Sequence, residues 1–113
     1  MSVSRWTHVM LAGLLAAGAS GAAQEPRTFT GVVTDELCAV SGHASMQMGP
    51  TDADCARACA DEHDAPFVLL DGTHVYQLSD QKQSRTFAGT RVKVVGVLDE
   101  ASGTIRVVSM EGE

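Results

Sequence analysis

The sequence predicts a mainly β domain in which five short strands and one helix form a small barrel or sandwich. Three observations predict this class. The predicted strands are short, closely spaced and linked by hairpins. An Asp71-Gly72 pair stands between two apolar runs, which is a strong signal for a tight hairpin turn. Gly96 interrupts the fourth apolar run, as the bends and bulges of barrel corners require.

The first 23 residues have the three-part pattern of a secretory signal peptide, and we exclude them from the predicted domain. Arg5 supplies a positive start, residues 9–17 are apolar, and small residues at 19–23 offer a cleavage site. The apolar run is shorter than the roughly 20 residues that a membrane span needs. We therefore expect a mature domain of residues 24–113 that is periplasmic or secreted. A retained N-terminal anchor is the alternative.

The first half of the mature chain predicts a strand, a loop and the helix. Residues 27–34 predict strand one, because they are rich in Thr and Val and apolar on one face. Residues 35–50 show no regular period and contain Gly and Pro, so they predict a loop. Residues 51–63 predict the helix, because Thr51 is a good N-cap and alanines follow it. The helix is thus inserted between strands one and two.

The second half predicts the other four strands. Residues 67–70 and 73–78 form the two arms of the predicted hairpin. Residues 79–89 are polar and predict a loop or a short helical turn. Residues 91–98 and 104–110 predict the last two strands, which a turn joins. No repeat and no linker divides the chain, so these elements predict a single domain.

Charge excludes one class of partner. Without the signal the chain has seven basic and fourteen acidic residues, a net charge of −7. Phosphates repel such a surface, and only four aromatic residues remain to stack on bases, so we expect no binding to nucleic acid. We expect no membrane span in the mature chain. The expected partners are a metal ion or another envelope protein.

A family resemblance sharpens the fold prediction. The run 87–110 resembles the C-terminal half of exported bacterial OB-fold domains, through Phe87, Gly89, Val92, Val94, Gly96, Leu98 and Asp99. The first half resembles small secreted bacterial domains of unknown function that carry a Cys-x-x-x-Cys helix. The resemblance implies an OB-like five-stranded barrel. One departure is the position of the helix, which in the usual OB fold follows strand three.

The segment before and within the helix concentrates candidate donor side chains, which are Asp35, Cys38, His43, Met46, Met48, Cys55, Cys59 and His63. Cys55, Cys59 and His63 recur every four residues, so a helix places them in one stripe. Cys38 precedes the helix in a segment that can fold over this stripe. Three thiolates and one imidazole suit tetrahedral zinc, and either His43 or His63 can supply the imidazole.

Copper is the second metal that this segment can bind. Cu(I) favours thiolate, thioether and imidazole ligands, which adds Met46 and Met48 next to His43. A Met-x-Met pair with a nearby histidine resembles the periplasmic copper and silver chaperones, which are also OB barrels. Those chaperones cap their metal with a tryptophan, which the mature chain lacks.

A disulfide is the alternative use of the cysteines. Two helical cysteines four residues apart are poorly placed to bridge each other, so Cys38 is the natural partner of Cys55 or Cys59. We take Cys38–Cys59 as the working prediction. Such a bridge stabilises a small domain by about 3 kcal/mol in the chain-entropy picture. The protein is then a stapled structural or interaction domain without metal.

Known catalytic patterns are missing from the sequence. It has no thioredoxin-like C-x-x-C, no haem-attaching C-x-x-C-H, no H-E-x-x-H and no glycine-rich phosphate loop. A Cys59–His63 pair stands in no known nucleophile motif. We therefore expect a binding module and not an enzyme.

Overall fold

The computed structural model describes Gly13 and residues 24–113 of the chain. The predicted signal peptide, residues 1–23, lies outside the described residues except for Gly13. The strands are β1 Arg27–Asp35, β2 Phe67–Asp71, β3 His74–Leu78, β4 Arg91–Asp99 and β5 Thr104–Gly112. The helices are α1 Glu36–Ser41, α2 His43–Met46, α3 Asp52–His63 and α4 Gln81–Thr86.

The five strands form one sheet that closes into a barrel in the order β1-β2-β3-β5-β4. β1 pairs antiparallel with both β2 and β4, which closes the sheet. β4 and β5 form a long antiparallel hairpin, whereas β3 and β5 pair in parallel over only two residue pairs. The prediction of a mainly β fold with five strands is confirmed.

The β4–β5 hairpin contains the irregularity that Gly96 predicts. The pairing shifts register between Val95 and Gly96, as a β-bulge does. A Cβ atom on Gly96 would lie 2.5 Å from the carbonyl oxygen of Arg106. Only glycine therefore allows the two strands to approach here, and the predicted bend is confirmed.

The prediction of a single helix is wrong, because the described residues contain four. Three of them lie between β1 and β2, where the sequence predicts a loop over residues 35–50 and then one helix. The Asp35 side chain caps α1, and Gly42, with φ of 80°, separates α1 from α2. A side-chain cap starts α1 and a glycine precedes α2, so neither short helix needs an apolar period. α4 forms likewise where Asp80 caps a polar segment.

The core of the barrel is apolar and continuous, and α3 packs against it. It consists of Phe29, Val33, Ala56, Phe67, Leu69, Leu78, Ala88, Val92, Val94, Ile105 and Met110. Ala56, which is fully buried, is the α3 residue in this core. A second, smaller buried cluster consists of Cys38, Cys55, Cys59 and Ala65. α3 therefore contributes to the barrel core and to a separate cluster of sulfur atoms.

Gly89 fixes how closely α3 approaches the barrel. Its N–H donates to the carbonyl of Val33 at 2.7 Å, and its φ is +76°. A Cβ atom at this position would lie 2.8 Å from the backbone nitrogen of Ala53 on α3.

Among the residues that the structure describes, no helix is both long and apolar enough to cross a membrane.

We expect Gly89→Ala to lower the free energy of unfolding by about 2–4 kcal/mol, because it adds a backbone clash to the cost of a positive φ. Gly103→Ala is the matched control. Gly103 has φ of +68° but nothing within 4 Å of its Cβ position, so only about 1 kcal/mol is expected. Urea denaturation measures both values. Equal losses in the two variants would contradict the close approach of α3.

Candidate metal centre

Three sulfur atoms from distant parts of the chain meet in one buried cluster. Cys38 lies on α1, and Cys55 and Cys59 lie on α3. The Sγ of Cys38 is 3.5 Å from that of Cys55 and 3.9 Å from that of Cys59. All three residues are at most 3% exposed. The predicted convergence of the three cysteines is confirmed.

A side-chain cap and a tight turn shape the start of α3. Thr51 caps α3 by accepting from the Asp54 N–H, and the spacing of four residues puts Cys55 and Cys59 on the same face. A Cβ atom on Gly49 would lie 2.8 Å from the Cβ of Asp54. The segment between α2 and α3 therefore turns back tightly on the start of α3.

His43 presents an unpartnered nitrogen to the cluster. Its Nε2 lies 3.4 Å from the Thr34 hydroxyl, and its buried Nδ1 has no hydrogen-bond partner. The Thr34 hydroxyl can donate to Nε2 or accept from it, so the contact holds the imidazole in place without fixing its tautomer. One donor atom each from Cys38, His43 and Cys55 lies within 4.8 Å of the other two.

Asp35 is the functional candidate that the predicted ligand set omits. Its Oδ2 accepts from the N–H groups of Leu37 and Cys38, whereas its buried Oδ1 has no partner. One donor atom each from Asp35, Cys38 and Cys59 also lies within 4.8 Å of the other two. The sequence places Asp35 among the candidate donors of this segment, but the predicted zinc and copper ligand sets do not include it.

The other predicted ligands differ in burial and in whether they belong to the cluster. Met46 and Met48 are half-buried and pack against the cysteines. His63 is exposed at the end of α3 and belongs to neither donor group. The four-residue stripe therefore ends at Cys59, because α3 extends beyond the packed region.

The predicted Cys38–Cys59 disulfide is not formed, and all three cysteines are free thiols. The observed sulfur separations exceed the S–S bond length of about 2.05 Å. Cys38 lies closer to Cys55 than to Cys59, so three sulfur atoms share one site instead of two forming a pair.

The protein environment favours the neutral form of two thiols. Burial raises the pKa of Cys38 above its ordinary value, and the nearby carboxylate of Asp35 raises it further. Burial also raises the pKa of Cys59, and the negative charge of Asp35 adds to this effect. A metal ion that binds here must therefore displace protons.

An open depression of about 420 Å³ leads to one side of the cluster. His43 and Cys55 line it together with Gln47, Pro50 and Asp52. An ion can therefore reach two of the donor residues from solvent.

Comparisons with protein-family models, with curated proteins and with solved structures find no match for this chain. The chemistry of the cluster therefore follows from its own donor atoms. Thiolates and an imidazole bind zinc and Cu(I), and a carboxylate adds a ligand that zinc accepts.

We expect the metal-free, reduced protein to lose stability as pH rises above about 9. The unfolded thiols ionise near their ordinary pKa of 9.0, whereas the folded thiols of Cys38 and Cys59 keep their protons because their pKa values are raised. The stabilisation is complete below pH 9 and falls as pH rises towards the folded values. The loss is up to about 1.4 kcal/mol per pH unit and thiol.

Urea unfolding between pH 8 and 10 with a phosphine reductant measures this slope. Cys38→Ala is the control, because it removes one of the two thiols and should make the slope shallower. A flat profile in the unsubstituted protein would show that these thiols ionise as easily in the folded state as in the unfolded one.

Proposed function

We propose that this protein is an exported binding module that holds zinc through Cys38, Cys55, Cys59 and His43. The observation that carries the proposal is that three buried thiols lie close to one another and that a ring nitrogen of His43 lies within 4.8 Å of two of them, those of Cys38 and Cys55. The buried Nδ1 of the same histidine has no hydrogen-bond partner. Buried polar atoms without partners are uncommon in native proteins, and an absent ligand is one of their ordinary explanations.

The two sulfur separations from Cys38 match those of ligands that share a tetrahedral ion. Two sulfur atoms bound to the same zinc at about 2.3 Å lie about 3.8 Å apart in an ideal tetrahedron. The separations from Cys38 are 3.5 and 3.9 Å. Cys38 can therefore share an ion with the thiolate of Cys55 or of Cys59 after only small side-chain movements. The hydrogen bond between Thr34 and His43 orients the imidazole in the manner of an outer-shell partner.

Cu(I) is the second candidate ion, and the position of the two methionines favours it. Met46 and Met48 pack against the cysteines, so their thioethers lie near the donor atoms that Cu(I) prefers. Zinc does not use thioether ligands in its usual sites. The two ions therefore make different demands on Met46 and Met48.

The proposed scaffold is an OB-like barrel in the periplasm or outside the cell. A five-stranded closed sheet with the order β1-β2-β3-β5-β4 supports the OB assignment. The signal-like pattern of the first 23 residues supports export. A domain of about 90 residues has little core, so a metal-bound cluster also stabilises the fold.

A disulfide-stapled interaction domain is the second candidate function. The observation that favours it is the same proximity of Cys38 to two thiols, in a protein expected in an oxidising compartment. Another envelope protein is then the partner. The two functions differ in the number of reduced thiols in protein purified from the periplasm.

We expect His43→Ala to weaken zinc binding by about 100-fold or more, since loss of an outer-shell partner alone costs 10–100-fold. His63→Ala is the matched control and should leave the affinity unchanged, because His63 is exposed and belongs to neither donor group. Competition with a chromophoric chelator gives both affinities. Equal effects of the two substitutions would exclude His43 as a ligand.

Purified periplasmic protein should retain zinc and three thiols that react once the metal is removed under denaturing conditions. Elemental analysis and thiol titration measure the two quantities. Two thiols missing and no metal would replace the zinc proposal with the stapled domain.

We expect the double substitution Met46→Leu and Met48→Leu to leave the zinc affinity within about 3-fold, because leucine conserves the packing volume and zinc needs no thioether. The Cu(I) affinity of the same variant, measured against a Cu(I)-specific chelator, provides the comparison. A large loss for Cu(I), combined with Cu(I) in the purified protein, would identify copper as the resident ion.

A further inference from the structure

We infer that the cluster holds two zinc ions, with Asp35 as a ligand of the second ion and the Cys38 thiolate shared between them. This inference rests on the proposed zinc-binding function and extends it to a two-ion site. Three features of the described residues carry it: the arrangement of the donor atoms, the unpartnered oxygen of Asp35, and the charge of the buried donors.

The donor atoms fall into two groups that share one residue. Cys38, His43 and Cys55 form the first group, which we call the outer set. Asp35, Cys38 and Cys59 form the second, which we call the inner set. A thiolate has lone pairs enough to bridge two ions, so one sulfur can belong to both sets at once.

Burial distinguishes the two sets. All three residues of the inner set are buried, whereas His43 in the outer set is half-buried. His43 and Cys55 also line the depression that opens to solvent. The outer set is therefore the one that solvent ions reach directly.

Asp35 is fully buried, and its Oδ1 has no hydrogen-bond partner. Its other oxygen is already occupied, because Oδ2 accepts from two backbone N–H groups at the start of α1. Capping therefore explains why an aspartate stands here but leaves Oδ1 unexplained. A buried carboxylate oxygen without a donor costs the free energy of its lost hydration, which a bound cation restores.

The charge of the donors, once all of them are deprotonated, matches two divalent ions. Three thiolates and one carboxylate then carry four negative charges. Two Zn²⁺ ions neutralise the four charges. The two ion pairs of the described residues, Arg85–Asp61 and Arg91–Glu113, involve none of these donors.

The experiment is a zinc titration of tag-free, reduced protein, read by native mass spectrometry in a volatile buffer. The unsubstituted protein should bind two zinc ions per chain. Asp35→Asn should bind one, with the affinity for the first ion changed less than about 10-fold, because asparagine retains an oxygen that can cap α1. Asp64→Asn is the control and should bind two, because Asp64 is an exposed residue outside both sets.

Each outcome decides between the two proposals. A chain that binds no zinc overturns both the proposed function and the two-ion site. A chain that saturates with one zinc retains the proposed function and overturns the second ion. An Asp35→Asn chain that still binds two ions overturns the role of Asp35. Asp35→Ser, which also keeps a capping oxygen, replaces the asparagine variant if that variant is unfolded by circular dichroism.

Cobalt substitution tests the shared sulfur independently. Two Co²⁺ ions joined by one thiolate couple magnetically, so the electron paramagnetic resonance signal per ion should fall when the second equivalent is added. In Asp35→Asn the signal should stop changing after one equivalent. A signal in the unsubstituted protein that simply doubles with the second equivalent would show two ions that share no ligand.

Discussion

The sulfur cluster depends on Asp35, whose side chain caps α1 and also lies beside Cys38 and Cys59. This residue ends β1, and one carboxylate oxygen binds the backbone of the next turn and so starts α1. That turn carries Cys38 towards the two cysteines of α3. The remaining oxygen is buried and has no hydrogen-bond partner. A single side chain therefore connects the end of β1, the start of α1 and the sulfur cluster.

The domain solves the problem of a small core by building two buried regions with different chemistry. The barrel interior is apolar and is stabilised by removal of its side chains from water. The region between α1 and α3 is lined by sulfur and contains polar atoms without partners, which is unfavourable unless a bound cation interacts with them. α3 connects the regions, since Ala56 enters the barrel core and Cys55 enters the cluster.

The sequence reveals those parts of the molecule whose cause is local. The strands, α3, the bulge at Gly96 and the shared face of Cys55 and Cys59 follow from period, propensity and spacing. α1 and α2 escape detection because their helical turns depend on a side-chain cap and a glycine, not on an apolar repeat. His63 shares the spacing of the cysteines yet lies in solvent, because spacing does not show where a helix leaves its neighbours. Asp35 is recognisable as a cap, but its second oxygen acquires meaning only in three dimensions.

The pairing between β3 and β5, which we call the seam, is the shortest strand pairing in the barrel. Only Gln77 with Thr104 and Leu78 with Ile105 pair across it, whereas β4 and β5 pair along eight positions. In the circular strand order this seam does not include β1, the strand that ends at Asp35. A short pairing resists local opening less than a long one, so we expect the paired amides of β3 and β5 to exchange faster than those between β4 and β5. Local opening between β3 and β5 can therefore occur without separating the strand that leads to the three cysteines.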